Sequence, residues 1–516
     1  MKTLLGRGRR GILRGIFSRT TVIAILLILQ ILFLLASYKW FQTYKVQFEI
    51  FEIVLSLVTV LYLINSDMDS TAVITWLLIL VPFPIIGSLF LFYTKTDFGF
   101  RAMKSNIQRA IDATQDYLIQ DTEAVAELKR HHSSNYNLIS YLENGKGHFP
   151  VYRQTDVRYF TSGEEKFEAL KAELRKAKKF IFLEYFIIDE GLMWGEILAI
   201  LEEKAAEGVE VRVMYDGMIE FTTLSFDYTK RLESIGIKAK AFAPLSPFIS
   251  TYYNYRDHRK ILVIDGTVAF TGGINLADEY INHVERFGHW KDTAIMLKGR
   301  AVDTFTILFL QLWSASQEEI QVEPYLALHQ HRPNNGFIVP YGDSPLDDDK
   351  IGENVYIDIL NQARDYVHIM TPYLILDGEL AHALKFAAQR GVEVSIIMPS
   401  IADKKLPFAL AQTYYASLIR AGVNIYEYTP GFVHAKVFVS DNQKAVVGTI
   451  NLDYRSLYHH FECATYMYRT SCIPDIEEDF QATLKQCRLV SEEDVRQRPM
   501  VTKVLGTLAR TVAPLL

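Results

Sequence analysis

The sequence predicts an α/β fold in which two tandem copies of one domain pack about a pseudo-twofold axis, preceded by N-terminal transmembrane helices. Three observations predict it. Long uncharged runs are confined to the first hundred residues. Beyond them, apolar strand-like segments alternate with helical ones, the pattern of a sheet covered by helices. One chemistry-bearing word, HRKILVID at 258–265 and HAKVFVSD at 434–441, occurs twice in matching surroundings, which marks a repeated domain rather than a repeated octapeptide.

Residues 21–38 (TVIAILLILQILFLLASY) and 72–93 (AVITWLLILVPFPIIGSLFLFY) are each long enough to cross a hydrocarbon core about 30 Å thick as a helix. Residues 50–64 are shorter, contain Glu52 and make a span only with their flanks. Two or three crossings are therefore expected over residues 1–95. The basic start (Lys2, Arg7, Arg9, Arg10, Arg14, Arg19) places the N-terminus in the cytoplasm. Further apolar runs, with no small-x-small cleavage site, argue against a removed signal peptide. Two crossings keep the rest of the chain inside, as Lys95, Arg101, Lys104 and Arg109 favour, and three put it outside.

Residues 96–150 read as a polar helix and then a Ser-, Asn- and Gly-rich linker (SSNYNLISYLENGKG). The first domain, 151–325, runs from strand KKFIFLEYFIID through a helix ending at Gly208 to strand GVEVRVMYDG. The second, 326–516, repeats the order: RDYVHIMTPYLILD, a helix ending at Gly391, then GVEVSIIMPS. A net charge of −6 does not ask for nucleic acid, since a phosphate-backbone binder is usually basic overall or carries a basic stripe. Cys463, Cys472 and Cys487 form no C-x-x-C, so neither a disulfide framework nor a zinc site is expected.

Side chains alternate along a strand, so His258 and Lys260 share a face, as do His434 and Lys436. Asp265 and Asp441 have the opposite parity and stand at hairpin bends, Asp-Gly and Asp-Asn, which suits a structural role. Asn275 and Asn451 follow the returning strands. A site gathering two His, two Lys and two Asn, without clustered carboxylates or Cys, suits a phosphodiester rather than a metal or cofactor. One neutral imidazole attacks phosphorus while a protonated one serves the leaving oxygen. Each His needs a partner to fix its tautomer. Asp292, 34 residues after His258, and Glu462, 28 after His434, each precede a strand that reaches back. The aromatic stretch FAPLSPFISTYYNY, with Phe248 and Tyr252, is a candidate entry surface for acyl chains, or ordinary packing.

The doubled HxKxxxxD with its trailing GxxN, the stretches NYRDHRKILVIDGTVAFTGGINLADEY and FVHAKVFVSDNQKAVVGTINLDYRSLYHHFECATYMY, TPYLIL, and the terminal APLL resemble the phospholipase D superfamily, most closely bacterial cardiolipin synthases. The resemblance runs from about residue 48 to the end; the basic first span is extra, and the first GxxN reads Gly-Gly in place of the commoner Gly-Ser. It implies transfer of a phosphatidyl group from one phosphatidylglycerol to another with release of glycerol, in a multi-pass protein of the bacterial plasma membrane. It further implies His258 as nucleophile and His434 as acid and base. Lys260, Lys436, Asn275 and Asn451 would then hold phosphoryl oxygens, with Asp292 orienting His258, Glu462 orienting His434, and Asp265 and Asp441 counted in the signature. A lipid hydrolase, another acceptor lipid, a nuclease of the same superfamily and an inactive membrane scaffold are the rival readings. Both motifs being intact disfavours the last, and charge and apolar spans disfavour the nuclease.

Overall fold

The computed structural model describes residues 28–33, 35, 44–96, 101–244, 255–315, 320–329, 332–333, 335–347 and 349–515. They fall into two compact units: the residues up to Arg101 with Thr511–Leu516, and Ala102–Pro244 with Tyr253–Arg510.

In the N-terminal unit, helix α1 spans Lys45–Ile64. Its 20 residues rise about 30 Å, and it is the one described helix long and apolar enough to cross a membrane. The run 72–93 is not a single span. It divides into α2 (Ser70–Leu80) and α3 (Pro84–Thr96). Pro82 and Pro84 lack the amide protons that would carry the helix through. Trp76 and Phe90 then meet at 5.3 Å, so α2 and α3 form a hairpin. Gly87 allows the close approach, since a Cβ there would lie 3.2 Å from the Leu80 Cα. Helices of 11 and 13 residues are too short to span singly. Most of run 21–38 lies outside the described residues; 28–33 and 35 are helical.

The stretch read as a linker is helix instead. Ser133–Asn144 buries Asn135, Leu138, Ile139 and Leu142, and Tyr466 of the second repeat donates to Asn135 at 3.0 Å. Its apolar residues stand at helical spacing, a signal hidden by the polar residues around them.

The first sheet contains β1 (Thr155–Phe160), β2 (Phe180–Tyr185), β3 (Glu210–Asp216), β4 (Lys238–Phe242), β5 (Lys260–Ile264), β6 (Val268–Gly272) and β7 (Ala294–Gly299), in the order β1-β7-β6-β5-β2-β3-β4. The second contains β8 (Phe337–Asp343), β9 (Tyr366–Met370), β10 (Glu393–Pro399), β11 (Asn424–Tyr428), β12 (Val437–Ser440), β13 (Lys444–Gly448), β14 (His460–Tyr468) and β15 (Cys487–Leu489), in the order β8-β14-β13-β12-β9-β10-β11-β15. Each strand of the first sheet has its counterpart seven labels on in the second. The pairing senses also match: β2-β3-β4 and β9-β10-β11 are parallel and the remaining neighbours antiparallel. The strands are apolar on both faces because helices or the other repeat cover them. Helix Val302–Trp313, apolar and buried all round, contacts both sheets: Phe309 stacks on Phe182 of β2 at 4.5 Å, and Leu308 closes on Gly342 of β8.

Candidate active site

Both motif histidines stand where a short strand of one repeat pairs with the other. Arg256–Asp257 runs parallel to His460–Phe461, and the His258 amide donates to the Phe461 carbonyl at 2.9 Å. Reciprocally, Gly431–Val433 runs parallel to His289–Lys291, and the His434 amide donates to the Lys291 carbonyl at 2.7 Å. These links exchange the carboxylates. Glu462 lies 2.8 Å from His258 Nδ1, and Asp292 lies 2.7 Å from His434 Nδ1. The expected pairing, Asp292 with His258 and Glu462 with His434, is therefore reversed. In each case the residue after the cross-repeat strand is brought to the partner repeat's histidine, whatever its distance from its own.

His258, Lys260, Asn275, Asp292, His434, Lys436, Asn451 and Glu462 are all buried. Lys260 Nζ donates to the His258 carbonyl, and Lys436 Nζ to that of His434. Lys436 Nζ also stands 2.9 Å from His434 Nδ1 and 3.1 Å from Nε2. Burial lowers the affinity of His434 for its proton, and Lys436 lowers it further, to about 4. Burial, then Lys260 and Lys436, push His258 well below the usual imidazole range. Burial likewise lowers Lys260 to about 8 and Lys436 to about 7. Near neutral pH both imidazoles are thus neutral, and a bound anion would stabilise the ammonium forms of the two lysines beside them.

Asp265 and Asp441 are not in this site. Each sits at φ 53° in its hairpin, and its carboxylate accepts three amides at the start of the neighbouring strand. Lys178, Lys179 and Phe180 donate to Asp265 at 2.7–2.9 Å, and Arg364, Asp365 and Tyr366 to Asp441 at 2.9–3.0 Å. The seven-residue offset from each histidine sends these side chains to the far end of the hairpin, where they pin β2 and β9 to it.

The structure adds residues that motif reading missed. His460 packs against His258 with ring centroids 5.4 Å apart, and its Nδ1 is 3.7 Å from Glu462. At the matching position, two before the carboxylate, Trp290 packs against His434 at 5.3 Å. Strand parity was the available signal, since His460 and Glu462 share a face of β14. Lys166 donates to the Ile274 carbonyl at 3.2 Å, and Tyr356 to that of Ile450 at 3.2 Å, so each fixes the turn before its Asn. Arg259 is clamped by Glu184 at 2.6 Å, and Arg256 by Asp216 at 3.3 Å, which braces the approach to His258. The doubled site departs from symmetry at Gly273 and Thr449. A Cβ at Gly273 would lie 2.1 Å from Asp292 Oδ1, whereas Thr449 donates to the longer Glu462. Asn275 is engaged by the Ile187 amide and Tyr280. Asn451 Oδ1, Trp290 Nε1 and His460 Nδ1 are buried with no hydrogen-bond partner among the described residues. Of these, the Trp290 indole N–H is a donor of the kind an anion satisfies, whereas Asn451 Oδ1 is an acceptor that suits a ligand hydroxyl.

Among the described residues, two groups bring metal-type ligand atoms within 4.8 Å of one another: His258, His460 and Glu462, and Glu353, Asp377 and Glu379. The field of Lys260 and Lys436 opposes a cation at the first; at the second, Lys350 already stands 3.5 Å from Glu353. Phe248 and Tyr252, the candidate acyl entry, lie outside the described residues.

Two HxK strands joined crosswise over two sheets of one topology define a doubled phosphodiester-handling site of the phospholipase D kind. The family model described as cardiolipin synthase, PLD-like domain matches residues 170–313 and 356–484, one segment in each repeat, and the chain belongs to that family. A Streptococcus mutans protein described as uncharacterized is 63% identical over 89% of this chain and 99% of its own. A cardiolipin synthase of Halalkalibacterium halodurans is 34% identical over 86% of this chain and 89% of its own. The crystal structure of phosphatidylserine synthase from Haemophilus influenzae superposes with a TM-score of 0.58 at 15% identity, covering 74% of this chain and 99% of that one, a likeness of fold.

Proposed function

We propose that this chain is a cardiolipin synthase, transferring the phosphatidyl group of one phosphatidylglycerol to the free glycerol hydroxyl of a second. The observation that carries the mechanism is the crossed pair of imidazole–carboxylate contacts, set between two buried lysines. His258 Nε2 attacks phosphorus, a P–N bond forms, and the P–O bond to the departing glycerol breaks. His434 gives that oxygen its proton. The second phosphatidylglycerol then returns a proton to His434 as its hydroxyl attacks, the P–N bond breaks, and cardiolipin leaves. Glu462 supports the cationic ring of phospho-His258, and Asp292 that of protonated His434. Lys260, Lys436 and the two asparagines bear on the non-bridging oxygens. The single negative charge of a bound phosphodiester offsets the field of Lys436 and raises His434 from its depressed value toward the range a general acid needs.

In this reading α1 crosses the bacterial plasma membrane and the α2–α3 hairpin enters it without crossing, which keeps the site within reach of lipid head groups. The test is to feed detergent-purified full-length protein phosphatidylglycerol alone and identify the lipids by mass spectrometry beside a His434→Ala control. Cardiolipin and glycerol, absent from the control, are expected. Phosphatidic acid as the sole product would make water the acceptor and overturn the transferase reading.

A further inference from the structure

Helix Met500–Arg510 (MVTKVLGTLAR) has two apolar faces. One packs inside the protein: Gly506 and Ala509 are buried, and a Cβ at Gly506 would lie 2.4 Å from the Ala409 carbonyl oxygen of helix Lys405–Ile419. The other faces outward. Met500, Val501, Val504 and Leu505 share one side, at i, i+1, i+4 and i+5, and are 73%, 78%, 50% and 41% exposed. A cluster of this kind marks an interaction surface.

What covers it follows from where the chain goes next. Directly after Arg510, residues Thr511–Leu515 join the apolar N-terminal unit. The Thr511 carbonyl accepts from Thr75 Oγ1 at 2.8 Å, and Leu515 packs against the cluster of Leu63, Trp76, Leu80 and Leu91. That unit turns Ile74, Leu78 and Leu89 outward, each more than half exposed, as lipid-facing helices do. The apolar face of 500–510 is thus continuous in sequence with a lipid-facing element, and the helix's two cations point away from that face, Lys503 donating to the Arg496 carbonyl at 2.6 Å and Arg510 standing over the Tyr414 ring at 4.3 Å. The helix it rests on begins beside the active site, where Lys404 contributes to the field at His258.

We propose that Met500–Arg510 is an interfacial helix that lies in the plane of an anionic phospholipid bilayer. Met500, Val501, Val504 and Leu505 enter the acyl region, and Lys503 and Arg510, held on the opposite side of the helix, stay out of it. Such helices settle about 5–10 Å into the boundary between head groups and chains. Docked in this way, the helix holds the catalytic unit against the surface that contains its substrate, so the inference rests on the lipid-phosphodiester reading above.

The test uses the full chain, carrying Cys487→Ser, with a fluorescent label on Val501→Cys or Val504→Cys and, as control, on Glu203→Cys of the first repeat. Cys463 and Cys472 are buried from the reagent. In phosphatidylglycerol vesicles whose lipids carry a quencher high on the acyl chain, labels at 501 and 504 are expected to lose about half their emission or more, and the label at 203 none. Unquenched labels at 501 and 504 overturn the proposal, as does an emission change that follows protein density alone, which would mark a second copy of the chain as the occupant. Val501→Asp with Val504→Asp is expected to lower turnover on phosphatidylglycerol vesicles about tenfold, while leaving that on a monomeric short-chain phosphatidylglycerol unchanged. Equal loss on both substrates overturns it. If the unaltered protein turns over neither, the substrate reading fails while quenching still decides the docking.

Discussion

Replacing Glu462 by glutamine tests the exchange of partners between the repeats. The Glu462 oxygens sit 2.8 and 3.0 Å from His258 Nδ1 with no solvent exposure. Phosphorylated His258 is cationic, and a carboxylate about 3 Å away stabilises it by about 5–6 kcal/mol at an effective dielectric of about 20. A transition state that has developed about half that charge collects about 3 kcal/mol, or roughly a hundredfold in rate. Glutamine keeps the shape and an acceptor oxygen but not the charge. The assay is a phosphatidyl ester with a p-nitrophenolate leaving group, which departs without an acid, so its burst reports the attack by His258 alone. The burst of Glu462→Gln should be about a hundredfold slower. Asp292→Asn should keep its burst near the parent rate and lose about a hundredfold on phosphatidylglycerol, where His434 must protonate glycerol. An intact burst in Glu462→Gln with a lost burst in Asp292→Asn would refute the crossed assignment.

Three other outcomes follow from the geometry. Gly273→Thr should cut activity at least a hundredfold and cost about 1–3 kcal/mol of stability, because its Cβ would occupy the space of Asp292 Oδ1, 2.1 Å away; kinetics and a melting curve check it. Asp265→Ala should cost about 2–3 kcal/mol by freeing three amides, yet leave turnover per folded molecule within a few-fold, as thermal unfolding and kinetics on the same sample would show. On acidification the buried neutral imidazoles should destabilise the protein, against an opposing gain from buried carboxyls such as Asp216 and Glu353, which burial pushes up to about 6 and about 9. His434 binds its proton at about 4 when folded and near 6.5 when unfolded, so the unfolded chain takes up the proton first and stability falls as pH drops through that window. By pH 5 this one group costs about 2 kcal/mol, and His258 and His460, shifted the same way, add to it. Denaturant unfolding of the parent and of His434→Asn at pH 7 and pH 5 isolates it: the parent should lose about 2 kcal/mol more than the variant, and an equal loss in both would contradict the buried neutral imidazole at 434.

Much of this was legible because it is local. GVEV marks both central parallel strands. Gly208 and Gly391, at φ 89° and 93°, end the helices before them as their positions suggest. Parity alone separated His258 and Lys260 from Asp265. Other features were obscured by competing signals. Composition hid the helix over 133–144, since Leu138, Ile139 and Leu142 are diluted by Ser and Asn. Hydropathy summed over 72–93 does not register that two prolines divide the run into a hairpin.

The sequence by itself determined that one domain is present twice, that each copy offers a His and a Lys on one face with an Asn after the returning strand, and that the paired site suits a phosphodiester. Spacing and strand period carry that information within a few residues. Tertiary structure alone decided which carboxylate serves which histidine. His258 and Glu462 are 204 positions apart, and His434 and Asp292 are 142 apart. They meet because two short parallel strand pairs join the repeats reciprocally, a relation between distant backbones that no local spacing encodes.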